Sequence, residues 1–124
     1  MKNILLIFIG GGAGSLMRYF LSRFINSLST SHFPFGTFVV NVAGCFLIGF
    51  VIFYTERYGE RADTWRLLLA TGLCGGFTTF STFSLESSEL ISEQHILVFL
   101  LYAGGSILLG LLATYLGLLA GRAI

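Results

Sequence analysis

The sequence predicts an all-α integral membrane protein built from four transmembrane helices. Three observations carry that prediction. Of 124 residues, 55% are hydrophobic and 10% are charged, too little charge to clothe a soluble domain of this size. The apolar residues fall into four runs, about 4–26, 35–54, 67–91 and 96–120, each roughly the 20–25 residues needed to cross a hydrocarbon core of about 30 Å. The runs show no regular apolar/polar alternation, so helices rather than barrel strands must satisfy the backbone inside lipid. The whole chain reads as one four-helix domain, multi-pass in the plasma (inner) membrane.

The first run begins within "MKNILLIFIGGGAGS", which has the charge and small residues of a signal peptide. Apolar residues continue through Leu16, Met17, Tyr19, Phe20 and Leu21, so a retained first span is expected. Arg18 lies about 15 residues into it, roughly 22 Å along a helix, near the far interface. Two roles suit it there: an anchor whose stem snorkels, or a residue at a pore mouth. The connection "SLSTSHFP" follows, with Pro34 suited to opening the second helix. In that helix Asn41 is mid-span and Thr37 lies four residues before it, on the same face.

The connection "ERYGERADTWR" carries six charges. The third span then spends its middle on "GLCGGFTTFSTFS", with Thr78, Thr79, Ser81, Thr82 and Ser84 among phenylalanines. Phe77, Phe80 and Phe83 recur every third residue. As a stripe they either pack against lipid or a partner, or present ring edges, which carry the positive part of the quadrupole. Glu86, Glu89 and Glu93 fall towards the end of this span, "SEQH" makes the last turn, and the fourth span offers Tyr102 and Ser106, again four apart.

Glycines crowd the spans at Gly10 to Gly14, Gly44, Gly49, Gly104, Gly105, Gly110, Gly117 and Gly121. Helices in a membrane associate through close packing, which small residues permit. Four thin helices do not readily enclose a polar path, so a homodimer or larger assembly is expected. Four spans put both termini on one side. Lys2, Arg57, Arg61, Arg66 and Arg122 lie there, against Arg18 and Arg23 on the other, which favours cytoplasmic termini.

The same composition excludes several classes. A net charge of +1 with no basic cluster gives no field for nucleic acid. Cys45 and Cys74 stand alone in apolar runs, neither a zinc pattern nor a disulfide framework. No Ser/His/Asp set, phosphate loop or redox pair indicates an enzyme. The span middles hold no Asp, Glu, Lys, Arg or His. That argues against the main alternative, a small four-span proton-coupled multidrug transporter, which would need a first-span carboxylate. A third class is a non-transporting accessory subunit. A lone Ser or Thr in such a helix ordinarily bonds its own backbone. The density of hydroxyls around Asn41's expected depth goes further, and neutral donors without fixed charge suit a small neutral or anionic cargo.

Three motifs in order complete the reading. "GGGAGSLMRY", Gly10 to Tyr19, is similar to G-G-x-x-G-A-x-x-R-Y, with Ser15 in place of Ala. "FPFGTFVVNVAGCFLIG" is similar to F-P-x-G-T-L-x-V-N-x-x-G-x-F-x-x-G, with Phe38 in place of Leu. "GLCGGFTTFSTF" follows G-x-x-G-G-x-T-T-F-S-T-F throughout. On these motifs the chain resembles the Fluc family of fluoride channels, also called CrcB proteins, over nearly all its length.

The resemblance implies a passive, uncoupled channel exporting cytoplasmic fluoride through two pores of an antiparallel, dual-topology homodimer. It implies a third helix broken near Gly75 to Thr79, with the two breaks crossing at the dimer centre. Backbone carbonyls of Gly75 and Thr78 from both subunits would then hold a structural sodium ion. The matching pore residues are Asn41, Phe80 and Phe83. Ser81, Thr82 and Glu86 are expected to form a polar cluster at the mouth, with Thr37, Tyr102 and Ser106 extending the track and Arg18 in the vestibule.

Overall fold

The computed structural model describes residues 1–124, and every element in it is helical. Helix α1 spans Lys2–Ser27 and α2 spans Phe35–Glu56. A 3-10 turn at Gly59–Arg61 leads into the short α3, Ala62–Trp65. A π-helical segment, Arg66–Cys74, passes into α4, Gly75–Phe77; then come α5, Phe80–Ser92, and α6, Ile96–Ala123. Four stretches, Lys2–Ser27, Phe35–Glu56, Gly59–Ser92 and Ile96–Ala123, are long and apolar enough to cross a membrane. This is the architecture of a multi-pass membrane protein, as expected. The helices run past the ends of the apolar runs, and the charged connection before the third span is itself partly helical.

Pro34 sits one residue before α2, and its carbonyl accepts the first helical bond from Phe38 N at 3.0 Å. Its missing N–H costs nothing at that position. Asn26 joins the two helices, since its Oδ1 accepts from Gly36 N at 2.8 Å.

Glycine sets how close the helices lie. A Cβ at Gly10 would strike the Leu68 carbonyl, one at Gly14 the Leu73 carbonyl, and one at Gly76 the Gly11 carbonyl. So α1 lies backbone to backbone on the third span. On the other side, a Cβ at Gly49 would strike the Thr114 carbonyl and one at Gly117 the Phe46 carbonyl, which binds α2 to α6. These partners are main-chain atoms and cannot swing aside. Gly14→Val is therefore expected to destabilise the protein by about 1–3 kcal/mol or more, the usual cost of overpacking. Gly12→Ala, with nothing within 4 Å of its new methyl, should leave thermal unfolding in detergent unchanged. Equal midpoints for the two variants would contradict this packing.

At one face of the molecule the charged residues gather. Arg57 donates to the Arg122 carbonyl at 3.2 Å, and Arg66 pairs with Glu56 at 3.4 Å. The second connection and the end of α6 therefore share a side, as four antiparallel spans require. Buried residues are few, 21 of 124, and large apolar side chains cover α1 and α6, as a lipid-facing or partner-facing surface would need.

Within the third span, regular helix stops between α4 and α5. Thr78 (φ −86°, ψ 159°) and Thr79 (φ −153°, ψ 117°) are extended. Gly75 and Gly76, the residues most permissive of unwinding, remain helical. The wide π-helical turns just before them are a feature often found beside functional sites.

Candidate functional site

Thr78 N still bonds the Cys74 carbonyl at 3.0 Å, but the main-chain groups of Thr79 no longer bond along the helix and need partners. Asn41 supplies them. Its Nδ2 donates to the Thr79 carbonyl at 3.0 Å, and its Oδ1 accepts from Thr79 N at 2.8 Å. One amide side chain thus closes both main-chain groups of one residue across two helices. Thr79 also caps α5: its Oγ1 accepts from Thr82 N at 3.2 Å, the ordinary N-cap arrangement. The same oxygen lies 3.0 Å from Thr82 Oγ1 and 3.2 Å from Ser81 Oγ.

Beside this junction runs an open groove of about 440 Å³. Its polar lining is Asn41, Thr78, Thr79 and Ser106, and its aromatic lining is Phe80 and Phe83. No charged residue lines it. The Ser106 hydroxyl is buried without a hydrogen-bond partner, a group that would gain from any ion or water in the groove. Phe80 and Phe83 lie 5.7 Å apart between ring centroids, and Phe83 continues to Tyr102 at 5.0 Å. Phe80 is 78% exposed, so its ring forms a wall that is open on one side.

A second pocket, about 260 Å³, is lined by Ser15, Arg18, Tyr19, Ser22, Thr37, Thr79 and Thr82. Thr79 is the one residue common to both cavities. Arg18 reaches inward here, with Nη1 3.4 Å from the Thr78 carbonyl.

Glu86 meets Thr37 and Tyr102, two residues expected with it along the polar track. Its carboxylate accepts from Thr37 Oγ1 at 2.8 Å and from Tyr102 OH at 2.6 Å. It therefore ties α5 to α2 and α6, whereas Ser81 and Thr82 cluster on Thr79 without it. The reason is helix direction: Glu86 lies on the face of α5 turned to α2 and α6, where two hydroxyls repay the carboxylate for leaving water. Tyr102 is fully buried. Thr37 and Asn41, read as one face of α2, do both face the third span, one towards Glu86 and one towards Thr79.

The structure thus gathers Asn41, Thr78, Phe80, Phe83, Ser106 and Gly75 around one groove. It places Arg18, Thr37 and Thr82 around the adjoining pocket, with Glu86 and Tyr102 behind. Sequence reasoning missed Thr79 as the hub, and Ser15 and Ser22 as pocket lining. A signal for Thr79 existed: a threonine opening an apolar helical run is a capping residue.

Residues 5–118 match the family described as CrcB-like protein, Camphor Resistance (CrcB). The chain belongs to that family. Similar proteins cover it almost end to end. A protein of Phocaeicola vulgatus named fluoride-specific ion channel FluC is 50% identical over 118 residues, 95% of this chain and 97% of its own. One of the same name from Flavobacterium psychrophilum is 44% identical over 122 residues, 98% of each chain. Another from Nitratidesulfovibrio vulgaris is 44% identical over 124 residues, all of both chains. Membership in the CrcB-like family sets aside the multidrug-transporter alternative, and the chain is not an enzyme.

Proposed function

We propose that this chain is a passive fluoride-selective channel of the plasma (inner) membrane that exports cytoplasmic fluoride. It works as an antiparallel, dual-topology homodimer with two pores and a structural sodium ion at its centre. One observation carries the reading: the groove combines hydrogen-bond donors and aromatic rings with no charge, in a chain 50% identical to a protein named a fluoride-specific ion channel.

Fluoride is small and strongly hydrated, so a pore must replace its water with close donors. Asn41 gives one N–H to Thr79 and keeps the second for an anion. Ser106 has an uncommitted hydroxyl. Ring edges of Phe80 and Phe83 add weak positive potential, and the N-terminal end of α5 adds its partial charge. None of these binds so tightly that the ion would not leave. Outside in acid, fluoride enters the cell as neutral HF, dissociates and is trapped. A passive pore lets it run out down its electrochemical gradient.

Support for a second subunit comes from the exposed Phe80 wall and from Gly104, which meets nothing within 4 Å. The backbone suits the sodium ion. Thr79 N, the helical donor to the Gly75 carbonyl, is bonded to Asn41 instead, and Thr82 N, the donor to the Thr78 carbonyl, is bonded to Thr79 Oγ1. The Gly75 carbonyl is thereby freed from its usual helical donor in the way a hard cation requires, while the Thr78 carbonyl has exchanged its helical donor for Arg18 Nη1 at 3.4 Å, a contact that the ion would have to displace. Two copies would supply a set of four, and the ion would favour anions nearby.

The reading predicts electrogenic flux. Liposomes carrying the purified protein and loaded with potassium fluoride should release fluoride only when valinomycin lets potassium follow. Release without a potassium path, tracking an imposed proton gradient, would mean a coupled carrier and end the channel reading.

A further inference from the structure

The chain has two histidines, and they meet. His32 lies in the connection between α1 and α2, and His95 immediately precedes α6. Their rings stack with centroids 4.1 Å apart and planes 29° apart. Glu93 joins them, with Oε2 3.9 Å from His95 Nε2. A ligand atom from each of the three lies within 4.8 Å of the others. Neither the groove nor the adjoining pocket uses any of these residues.

The turn that carries two of them is firmly built. Glu93 N bonds the Glu89 carbonyl at 2.9 Å, Gln94 N the Ile91 carbonyl at 3.1 Å, and His95 N the Leu90 carbonyl at 2.8 Å. Gln94 takes a left-handed φ of 63°, uncommon for a residue with a Cβ, and this brings Glu93 and His95 to the same side of the turn as His32.

We propose that His32, Glu93 and His95 form a binding site for a borderline divalent cation of the zinc class. Two imidazole nitrogens and one carboxylate oxygen are the donor set that such an ion prefers, with water as the fourth ligand. Bond lengths of about 2.0–2.2 Å require the three donors to close in from their present spacing. The exposed side chains of His32 and Glu93, and the half-exposed His95, are free to turn inward, the stacked rings tilting so that one nitrogen of each faces the ion. The bound ion would latch the first connection to the last one. It would also restrain Phe33, which follows His32 and meets the rings of Tyr102 at 5.5 Å and Phe38 at 5.3 Å.

The test uses untagged full-length protein in detergent, with zinc chloride competed against a chromophoric chelator. The wild type is expected to take up about one zinc per chain, and His32→Ala and His95→Ala each to weaken uptake by roughly tenfold or more. Zinc should raise the thermal midpoint of the wild type and not of the double variant, and magnesium should do neither, because it favours all-oxygen sites. All three side chains are at the surface, so the variants should fold. Equal zinc uptake by wild type and the double His32→Ala/His95→Ala variant, or none by either, would overturn the proposal. The measurement is indifferent to whether the chain conducts fluoride.

Discussion

Phe80→Ile and Phe83→Ile are each expected to cut fluoride efflux from liposomes about tenfold or more while the protein still folds. Isoleucine keeps the bulk and removes the ring edge. A tenfold loss corresponds to about 1.4 kcal/mol of stabilisation for the passing ion, and the positive ring edge is the group that would supply it. The folding cost is small by comparison. Phe80 is 78% exposed in the single subunit, and Phe83 forfeits chiefly its 5.0 Å contact with Tyr102. Fluoride-electrode traces on both variants, beside thermal unfolding, check the two halves of the statement. Unchanged flux in both would reduce the stripe to packing.

The larger effect belongs to Asn41. Asn41→Asp keeps the oxygen that accepts from Thr79 N and loses the N–H that donates to the Thr79 carbonyl. It also sets a negative charge in a groove that no cationic side chain lines. Two like charges about 4 Å apart repel by about 4 kcal/mol at an effective dielectric constant of about 20, close to a thousandfold in rate. Efflux should fall to the level of protein-free liposomes. Asn41→Ala acts differently, leaving both main-chain groups of Thr79 unpaired at about 1–3 kcal/mol each, so it should lose stability as well as flux. An Asn41→Asp protein that conducts like the wild type would leave Asn41 as a clamp alone.

The parts of this account that were legible in the sequence share a physical origin. Spans follow from runs of apolar residues because lipid imposes their length. The glycine contacts follow because close packing in lipid leaves few other uses for so many small residues, although only the structure pairs Gly14 with the Leu73 carbonyl and Gly49 with Thr114. Thr37 and Asn41 stood out by a local rule, four residues on one helical face. The remainder depends on distance across the chain. The bonds of Glu86 to Thr37 on α2 and Tyr102 on α6 span 49 and 16 residues, and no local rule pairs them. Counting along α1 gives the depth of Arg18 but not the direction of a long side chain, whose Nη1 lies 3.4 Å from the Thr78 carbonyl. The π-helical turns at Arg66–Cys74 have no signature that apolar periodicity resolves. The pairing of His32 with His95 required knowing that the first and last connections come together.

The central claim is that an uncharged groove walled by Asn41, Phe80, Phe83 and Ser106 selects fluoride. The most direct measurement loads the same proteoliposomes with potassium fluoride or with potassium chloride and follows each anion with its own electrode after valinomycin. The account predicts rapid loss of fluoride with chloride held at the protein-free rate. Chloride leaving as fast as fluoride would contradict it.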